Sequence, residues 1–499
     1  MKLQSIIISI LLVGFLGCSK QRYDVVIKGK VIGSNIPDII EFSNSEIGVC
    51  YMGFREYVPV DSLGNFEINI NIDKPMLIQL KCDKIYEIFL IIEKKVGLYN
   101  IEFNYNKNEN NFTVNSENSE GENMINKLTY SMPNAFKTIY KYDNDTLTIE
   151  EAFENIAVAK NKEISSIKEL LNNNKIRNDF FSIIRNDRDC YFAAVQATIA
   201  QSKFEEAFEA KDEKRKEIIK DIWRGIFNNI NNEEYLITSN YNNLLERYIY
   251  YKIIESFDFN YEKFVEDLTM VFETGNFHTY FINTAKQSYT GDVLEYFRAT
   301  YMWIEALQKN YEKEFVPLFE EFKEDYPNST YTKYLEPMII PIAKYHDQAK
   351  DKFSENIKYI NDYENINSLS EAVKPFEGKK IFIDVWATWC GPCKYEFKFK
   401  DQLQYLLNEH DIQLLYISID EDNRANQWKD MIKYYSLEGH HIRASEKLIS
   451  DIKITYDSKK KTTIGIPFYI LIDEKGYIIK KHLSKPSEID KLEKELISL

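Results

Sequence analysis

Apolar and polar positions change their rhythm three times along this chain. Between residue 25 and about residue 115 the period is two. Val25-Val26-Ile27-Lys28-Gly29-Lys30-Val31-Ile32-Gly33 is rich in β-branched residues and ends in turn residues. Phe66-Glu67-Ile68-Asn69-Ile70-Asn71-Ile72 alternates strictly, which puts every second side chain on one face of a half-buried strand. Tyr57-Val58-Pro59-Val60 leads through Asp61-Ser62-Leu63-Gly64-Asn65 into that strand, and predicts a hairpin with a glycine-bearing loop. Met76–Leu80, Ile88–Ile92 and Leu98–Phe103 continue the pattern. Short strands separated by turn residues predict a small β-sandwich over residues 18–115.

Asn104 to Asn123 is polar and reads as a loop or linker. From there to residue 350 the apolar spacing becomes helical, and an all-α region is expected over 124–350. Ile218, Ile219, Ile222, Trp223, Ile226, Phe227 and Ile230 fall on one face, as do Leu244, Leu245, Tyr248, Tyr251 and Ile254. Phe315, Leu318, Phe319 and Phe322 precede Tyr326-Pro327-Asn328-Ser329, where proline and a Ser or Asn cap should separate two helices. Over 352–499 strands and helices alternate. Phe382–Trp386 is a strand, Pro392–Asn408 a helix, Gln413–Ile419 a buried strand and Ala425–Tyr435 a helix. Pro467–Asp473 and Tyr477–Lys480 are strands, and a last helix is capped by Ser487 with Asp490 in the capping-box position. That order, βαβα then ββα, predicts an α/β domain.

Composition adds limits to this layout. At 499 residues the chain suits about three domains at ~150 residues each. A formal net charge of -15 argues against nucleic acid as a partner. Tyr (35) and Phe (31) outnumber Gly (17) and Pro (12), which fits packed helices better than a disordered chain.

The N-terminus has a different character. Lys2 precedes the apolar run Ile6–Leu16, which is too short for a comfortable membrane span and reads as a signal peptide over 1–17. Phe15-Leu16-Gly17-Cys18 resembles the bacterial lipobox, with Phe15 where Leu is commonest. The resemblance implies cleavage before Cys18, lipidation of that thiol, and a chain anchored on the extracytoplasmic side of a bacterial membrane, facing the periplasm. Of six cysteines, Cys18 would be the anchor. Cys50, Cys82 and Cys190 allow at most one bridge among themselves; Cys50 with Cys82 is possible, and buried free thiols are the simpler reading.

The remaining pair lies in Trp386-Ala387-Thr388-Trp389-Cys390-Gly391-Pro392-Cys393, after an apolar strand and before a helical pattern. At a helix start, a thiol meets unpaired amides and the positive end of the dipole, which favour the thiolate. Cys390 is therefore the candidate nucleophile, and Cys393, one turn on, the candidate resolving thiol. Half of a zinc site would look similar, but there is no second Cys pair, and His440-His441 is the only His cluster nearby. No metal and no cofactor beyond the Cys390–Cys393 disulfide is expected.

This motif, Gly465-Ile466-Pro467 before a later strand, and the strand order together resemble the thioredoxin fold. They resemble more closely the extracytoplasmic thiol–disulfide oxidoreductases called TlpA-like and ResA-like, over about the last 145 residues. An N-terminal module often attached to such lipoproteins is resembled by Gly29, Val31, Gly33, Val60, Asp61, Ser62, Gly64 and Phe66. The resemblance implies that Pro467 is cis and sets the backbone of Ile466 beside the sulfurs to receive an extended substrate segment. It implies a docking role for Trp389, which could equally be packing, and a flanking role for Gly391 and Pro392, the thioredoxin dipeptide. Asp384, mid-strand, stands where the family has a buried acid that can take the proton of Cys393; a structural Asp is the alternative. Glu396 matches the acidic residue of a ResA-like Cys-x-x-Cys-x-x-Glu-Phe pattern, with Lys398 replacing the family's proline; an acid favouring the helix dipole is equally compatible. Reductases of the thioredoxin kind lie at about -270 mV against about -120 mV for an oxidant such as DsbA, so Gly391-Pro392 leans toward reduction. The implied partners are a disulfide-bearing extracytoplasmic protein and a membrane thiol electron donor. A disulfide oxidase or isomerase would use the same residues, and a lipid-anchored binding protein with a secondary redox domain would not need them.

Overall fold

The computed structural model describes residues 24–497 except 34–35, 44–54, 83–85, 105–111, 129–135, 145, 239, 351–353 and 457–463. The expected signal peptide and anchor Cys18, as well as Cys50, lie outside the described residues. Among the described residues no helix is long and apolar enough to cross a membrane. The chain divides into two compact units, one of residues 1–203 and 234–244, the other of 204–233 and 245–499.

The first unit opens with eight strands: β1 (Val25–Ile32), β2 (Ile39–Ser43), β3 (Arg55–Pro59), β4 (Asn65–Ile70), β5 (Met76–Cys82), β6 (Tyr86–Ile92), β7 (Leu98–Asn104) and β8 (Phe112–Asn115). They form two four-stranded sheets, ordered β4-β1-β7-β8 and β3-β2-β5-β6. Alternation in β4 and β7 becomes alternating burial, and the inward side chains of both sheets make one apolar core that includes Val25, Phe42, Phe66, Ile78 and Phe103. This is the expected sandwich, and Cys82 is buried in it.

Two expectations fail here. β3 and β4 do not pair as a hairpin; β3 pairs with β2 and β4 with β1. The connection is a corner between sheets, held by Asp61, whose Oδ1 accepts the amides of Leu63 and Asn65, each at 2.8 Å. Gly64 sits at φ +84° with its Cα so close to the Val31 carbonyl oxygen that a Cβ would lie 2.2 Å from it, so no other residue fits. The expected linker 104–123 contains β8 and the start of a helix, Ser119–Ile125. Val114 of β8 pairs with Ile101 and is buried, but four residues carry too short a period to stand out from their polar neighbours.

Helices run from Ser119 to Gln348. The break at Pro327 appears where expected, between Phe315–Asp325 and Thr332–Gln348. The cap is different: Ser329 Oγ accepts the Tyr331 amide at 3.2 Å, and Tyr331 itself precedes the helix.

At the C-terminal end of the second unit lie β9 (Ile357–Tyr359), β10 (Lys380–Trp386), β11 (Ile412–Ser418), β12 (Gly439–Arg443), β13 (Phe468–Ile472) and β14 (Ile478–Lys481). The sheet order is β14-β13-β10-β11-β12-β9, with β9 to β12 mutually parallel and β13 and β14 antiparallel additions. Helices Gly391–Glu396, Lys400–Glu409, Ala425–Tyr435, Glu446–Tyr456 and Ile489–Ile497 follow the strands. β9, β12 and the helix Glu446–Tyr456 are additions to the expected order. Ile-Lys-Tyr and Gly-His-His-Ile-Arg are too short or too polar to announce a strand. The single helix expected over 392–408 is broken by a 3-10 turn at Phe397–Phe399. Phe397 turns inward there, its ring 5.2 Å from both Trp386 and Tyr435.

Candidate active site

β10 is buried along six of its seven residues, because sheet neighbours and helices cover both of its faces. The strand is therefore a rigid base for the turn at its end. After Trp386 the chain turns through Ala387, Thr388 and Trp389 and delivers Cys390 to the N-cap of the helix Gly391–Glu396. Cys390 and Cys393 are joined by a disulfide with Cα atoms 5.3 Å apart, and the Cys393 amide donates to Cys390 Sγ at 3.1 Å. Both cysteines are buried, Cys393 the more completely. Cys393 is wholly enclosed, and Cys390 is 3% exposed, beneath a rim made by exposed Gly391, Pro392 and Trp389. Trp389 is 48% exposed.

The Ile466–Pro467 peptide bond is cis. Phe468 pairs with Val385 in the β13–β10 ladder, so Ile466 and Pro467 lie at the end of the sheet from which the motif departs. Both are half-buried.

Asp384 sits mid-strand between Tyr416 of β11 and Tyr469 of β13. It is 2% exposed, and its Oδ1 has no hydrogen-bond partner. Burial, followed by the charge of Glu396, pushes its pKa up to about 8. A carboxyl held neutral near physiological pH can give or take a proton there. Glu396 is buried at the end of the motif helix and turned toward the last helix. Its Oε2 accepts the Ser487 amide at 2.9 Å and its Oε1 the Ser487 hydroxyl at 3.0 Å. The Ser487 hydroxyl, expected to cap the last helix, is committed to Glu396 instead, within a 3-10 turn over Pro486–Glu488.

Two buried groups beside the motif have no counterpart among the residues expected from the sequence. Asp420 receives the Thr388 amide at 2.9 Å, the Thr388 hydroxyl at 2.7 Å and the Ser418 hydroxyl at 2.7 Å, pinning the loop before Cys390. Lys394 is 1% exposed, and its ammonium donates to backbone carbonyls on three sides. A lysine after a Cys-x-x-Cys reads as a solvent-facing residue, and nothing in the spacing says otherwise.

The family model described as Redoxin matches residues 348–496. These residues form a Redoxin domain. ResA of Bacillus thuringiensis subsp. konkukian, a thiol-disulfide oxidoreductase, is 31% identical over 109 residues, which are 22% of this chain and 57% of the relative. ResA of Bacillus subtilis is 22% identical over 117 residues, 23% of this chain and 60% of the relative. The chain thus spans less than two thirds of the length of these relatives. Among solved structures, the thioredoxin domain of a thiol-disulfide oxidoreductase from Bacteroides vulgatus is 23% identical, covering 25% of this chain and 82% of that one at a TM-score of 0.21. A thioredoxin-family thiol:disulfide interchange protein from Chlorobium tepidum is 22% identical, covering 25% and 83% at 0.21. The Redoxin domain therefore holds the disulfide, the cis-proline and the buried acid, while the β-sandwich and most of the helices lie outside the matched residues.

Proposed function

We propose that the protein is a thiol–disulfide oxidoreductase that reduces disulfides of extracytoplasmic proteins through Cys390 and Cys393. One observation carries this reading: a disulfide between Cys390, at the helix N-cap beneath exposed Trp389, Gly391 and Pro392, and the wholly enclosed Cys393, where a helix leaves the end of a buried strand. In the reduced protein the Cys390 thiolate attacks one sulfur of a substrate disulfide. The Cys390–substrate bond forms, the substrate S–S bond breaks, and the first substrate thiolate leaves and takes a proton from water. Cys393 then loses its proton, attacks Cys390 Sγ and expels the second substrate thiolate. Two electrons have passed to the substrate, and the Cys390–Cys393 disulfide remains.

Asp384 is the proposed proton partner of Cys393. With a pKa of about 8 it is mostly protonated at pH 7. It takes the Cys393 proton in its ionised fraction and returns a proton to Cys393 when the pair is reduced again. Trp389, Gly391 and Pro392 form the docking rim, and Ile466, beside Pro467, offers backbone to an extended substrate segment. The disulfide is itself the electron carrier, so no other cofactor is required. Cys18 as a lipid anchor would keep the site on the periplasmic side of the membrane, and a membrane thiol donor would return the two electrons. The Gly391-Pro392 dipeptide supports the reducing direction.

Substituting Cys393→Ser removes resolution and leaves attack intact. Mixed disulfides through Cys390 should then accumulate on extracytoplasmic proteins and dissolve with dithiothreitol. Their absence would sink the catalytic reading and favour a binding protein. A potential above about -180 mV would redirect it to an oxidase or isomerase.

A further inference from the structure

Lys394 is buried where lysines rarely are, and its surroundings explain why. An ammonium has three donors and no acceptor. Here the three find three carbonyls: Thr388 at 2.7 Å, Lys309 at 2.9 Å and Gln308 at 3.1 Å. Thr388 lies two residues before Cys390. Gln308 and Lys309 end the helix Gly291–Leu307, where carbonyls lack helical partners and carry partial negative charge.

The segment that offers those carbonyls is itself clamped. Lys309 and Tyr311 hold positive φ, 55° and 58°. Gln427 Nε2 donates to the Asn310 carbonyl at 2.8 Å, and His346 Nε2 donates to the Tyr311 carbonyl at 2.6 Å. The Tyr311 and Tyr435 hydroxyls meet at 2.8 Å. The Tyr311 ring stacks on Tyr345, with centroids 4.8 Å apart. Gln427 and Tyr435 belong to the Redoxin helix Ala425–Tyr435, and 308–311 belongs to the helical stretch before the domain.

We propose that Lys394 is a positioning residue of the redox site. In this role it uses the end of a helix outside the Redoxin match to fix a cation beside the loop that carries Cys390. A fixed positive charge in a poorly solvated place favours the thiolate at Cys390 over the thiol. The helical stretch is thereby part of the redox site. The charged groups facing the ammonium are Glu312 and Asp420, which favour it, and Lys309 and Arg424, which oppose it. Burial outweighs them and holds the lysine down to about 8, within reach of titration but still charged at neutral pH.

The inference rests on Cys390 as the attacking thiol, but its test needs no substrate. The full-length protein, freshly reduced, is alkylated with iodoacetamide across pH, and the label on Cys390 is followed by mass spectrometry. Lys394→Met should raise the midpoint of the Cys390 profile by about half a unit or more, so that alkylation well below the midpoint slows about threefold. If Lys394→Met does not accumulate as folded protein, Lys394→Gln is read in the same way. Tyr435→Phe removes one hydrogen bond of the 308–311 clamp but leaves the Gln427 and His346 bonds, the lysine charge and its three carbonyls in place, and should leave the midpoint where it is. A midpoint unmoved in the lysine variants would overturn the proposal. So would a Tyr435→Phe shift as large as that of the lysine variant, since the effect would then be structural. A normal Cys390 profile together with failed trapping would sink the proposed reaction and leave this inference standing.

Discussion

The β-sandwich and the Redoxin sheet use strands in opposite ways. In the sandwich, β4 and β7 bury one face and expose the other, so each polar residue has an outward position to occupy and the shared core is apolar. In the Redoxin sheet, β10 is covered on both faces. A polar residue there has no outward side, and Asp384 is held in a place that opposes its charge. One-sided strands make a stable module, while two-sided strands can trap a group in an unusual protonation state. That is why the proposed chemistry gathers around β10.

The largest expected effect tests whether the redox site alone carries the activity. Cys390→Ser should reduce turnover of a model protein disulfide to the uncatalysed background, with the melting transition nearly unchanged. Residual turnover above background would mean that a group outside the motif contributes.

Asp384 sharpens the comparison next, through pH. Its folded-state pKa of about 8 lies above the ordinary carboxyl value of 3.8. At this group the native state thus binds more protons than the unfolded state between those values, and the group's contribution to stability falls as pH rises from about 4 to about 8. The loss is on the order of 5 kcal/mol over that window. Asp384→Asn should remove this contribution, so that the stability difference between pH 5 and 8 in denaturant titrations shrinks while that of other acids raised by burial, Glu122, Glu246 and Glu305 among them, remains, and should slow resolution of the mixed disulfide by about a hundredfold. An Asp384→Asn variant with the same stability difference between pH 5 and 8 as the wild type would remove the trapped-acid argument.

The sandwich makes the opposite prediction. Ile78 is fully buried in β5, so Ile78→Ala should cost about 3 kcal/mol of stability through a lost side chain and the cavity left behind. The reduction potential of Cys390–Cys393 in the folded protein should not move. A shifted potential would mean that the module does more than fold.

These differences also explain how much of the molecule is legible in its sequence. Strict alternation from Phe66 to Ile72 and the run before Cys390 are strong local signals, and both strands stand where they were expected. Pairing is a long-range choice, so nothing local said that β3 and β4 would separate into different sheets. β12 and β9 are hydrogen-bonded by their neighbours rather than by their own pattern. At the site, Cys390, Cys393, Pro467 and Asp384 were legible because each residue type is unusual in its position. Lys394 and Asp420 were not. Their burial and hydrogen bonds depend on carbonyls, amides and hydroxyls that other elements bring to them, and those partners leave no mark near them in the chain.

Glu396 gives the smallest effect and the finest test. It is not a free acid at the helix start; both of its oxygens are engaged by Ser487. Its charge also raises the Asp384 pKa, second to burial. Glu396→Gln can keep both contacts, its Oε1 accepting the Ser487 amide and its Nε2 donating to the Ser487 hydroxyl oxygen, but both bonds lose their charge assistance. The cost should be about 1–2 kcal/mol. With the negative charge gone, the Asp384 midpoint should fall by less than a unit, because burial remains, and the upper end of the stability slope should move below pH 8. Turnover should change by less than about tenfold. A drop near a hundredfold with the slope unmoved would make Glu396 a proton carrier in its own right. A moved slope with near-normal turnover would make it a brace between the motif helix and the last helix that adjusts the redox site only through Asp384.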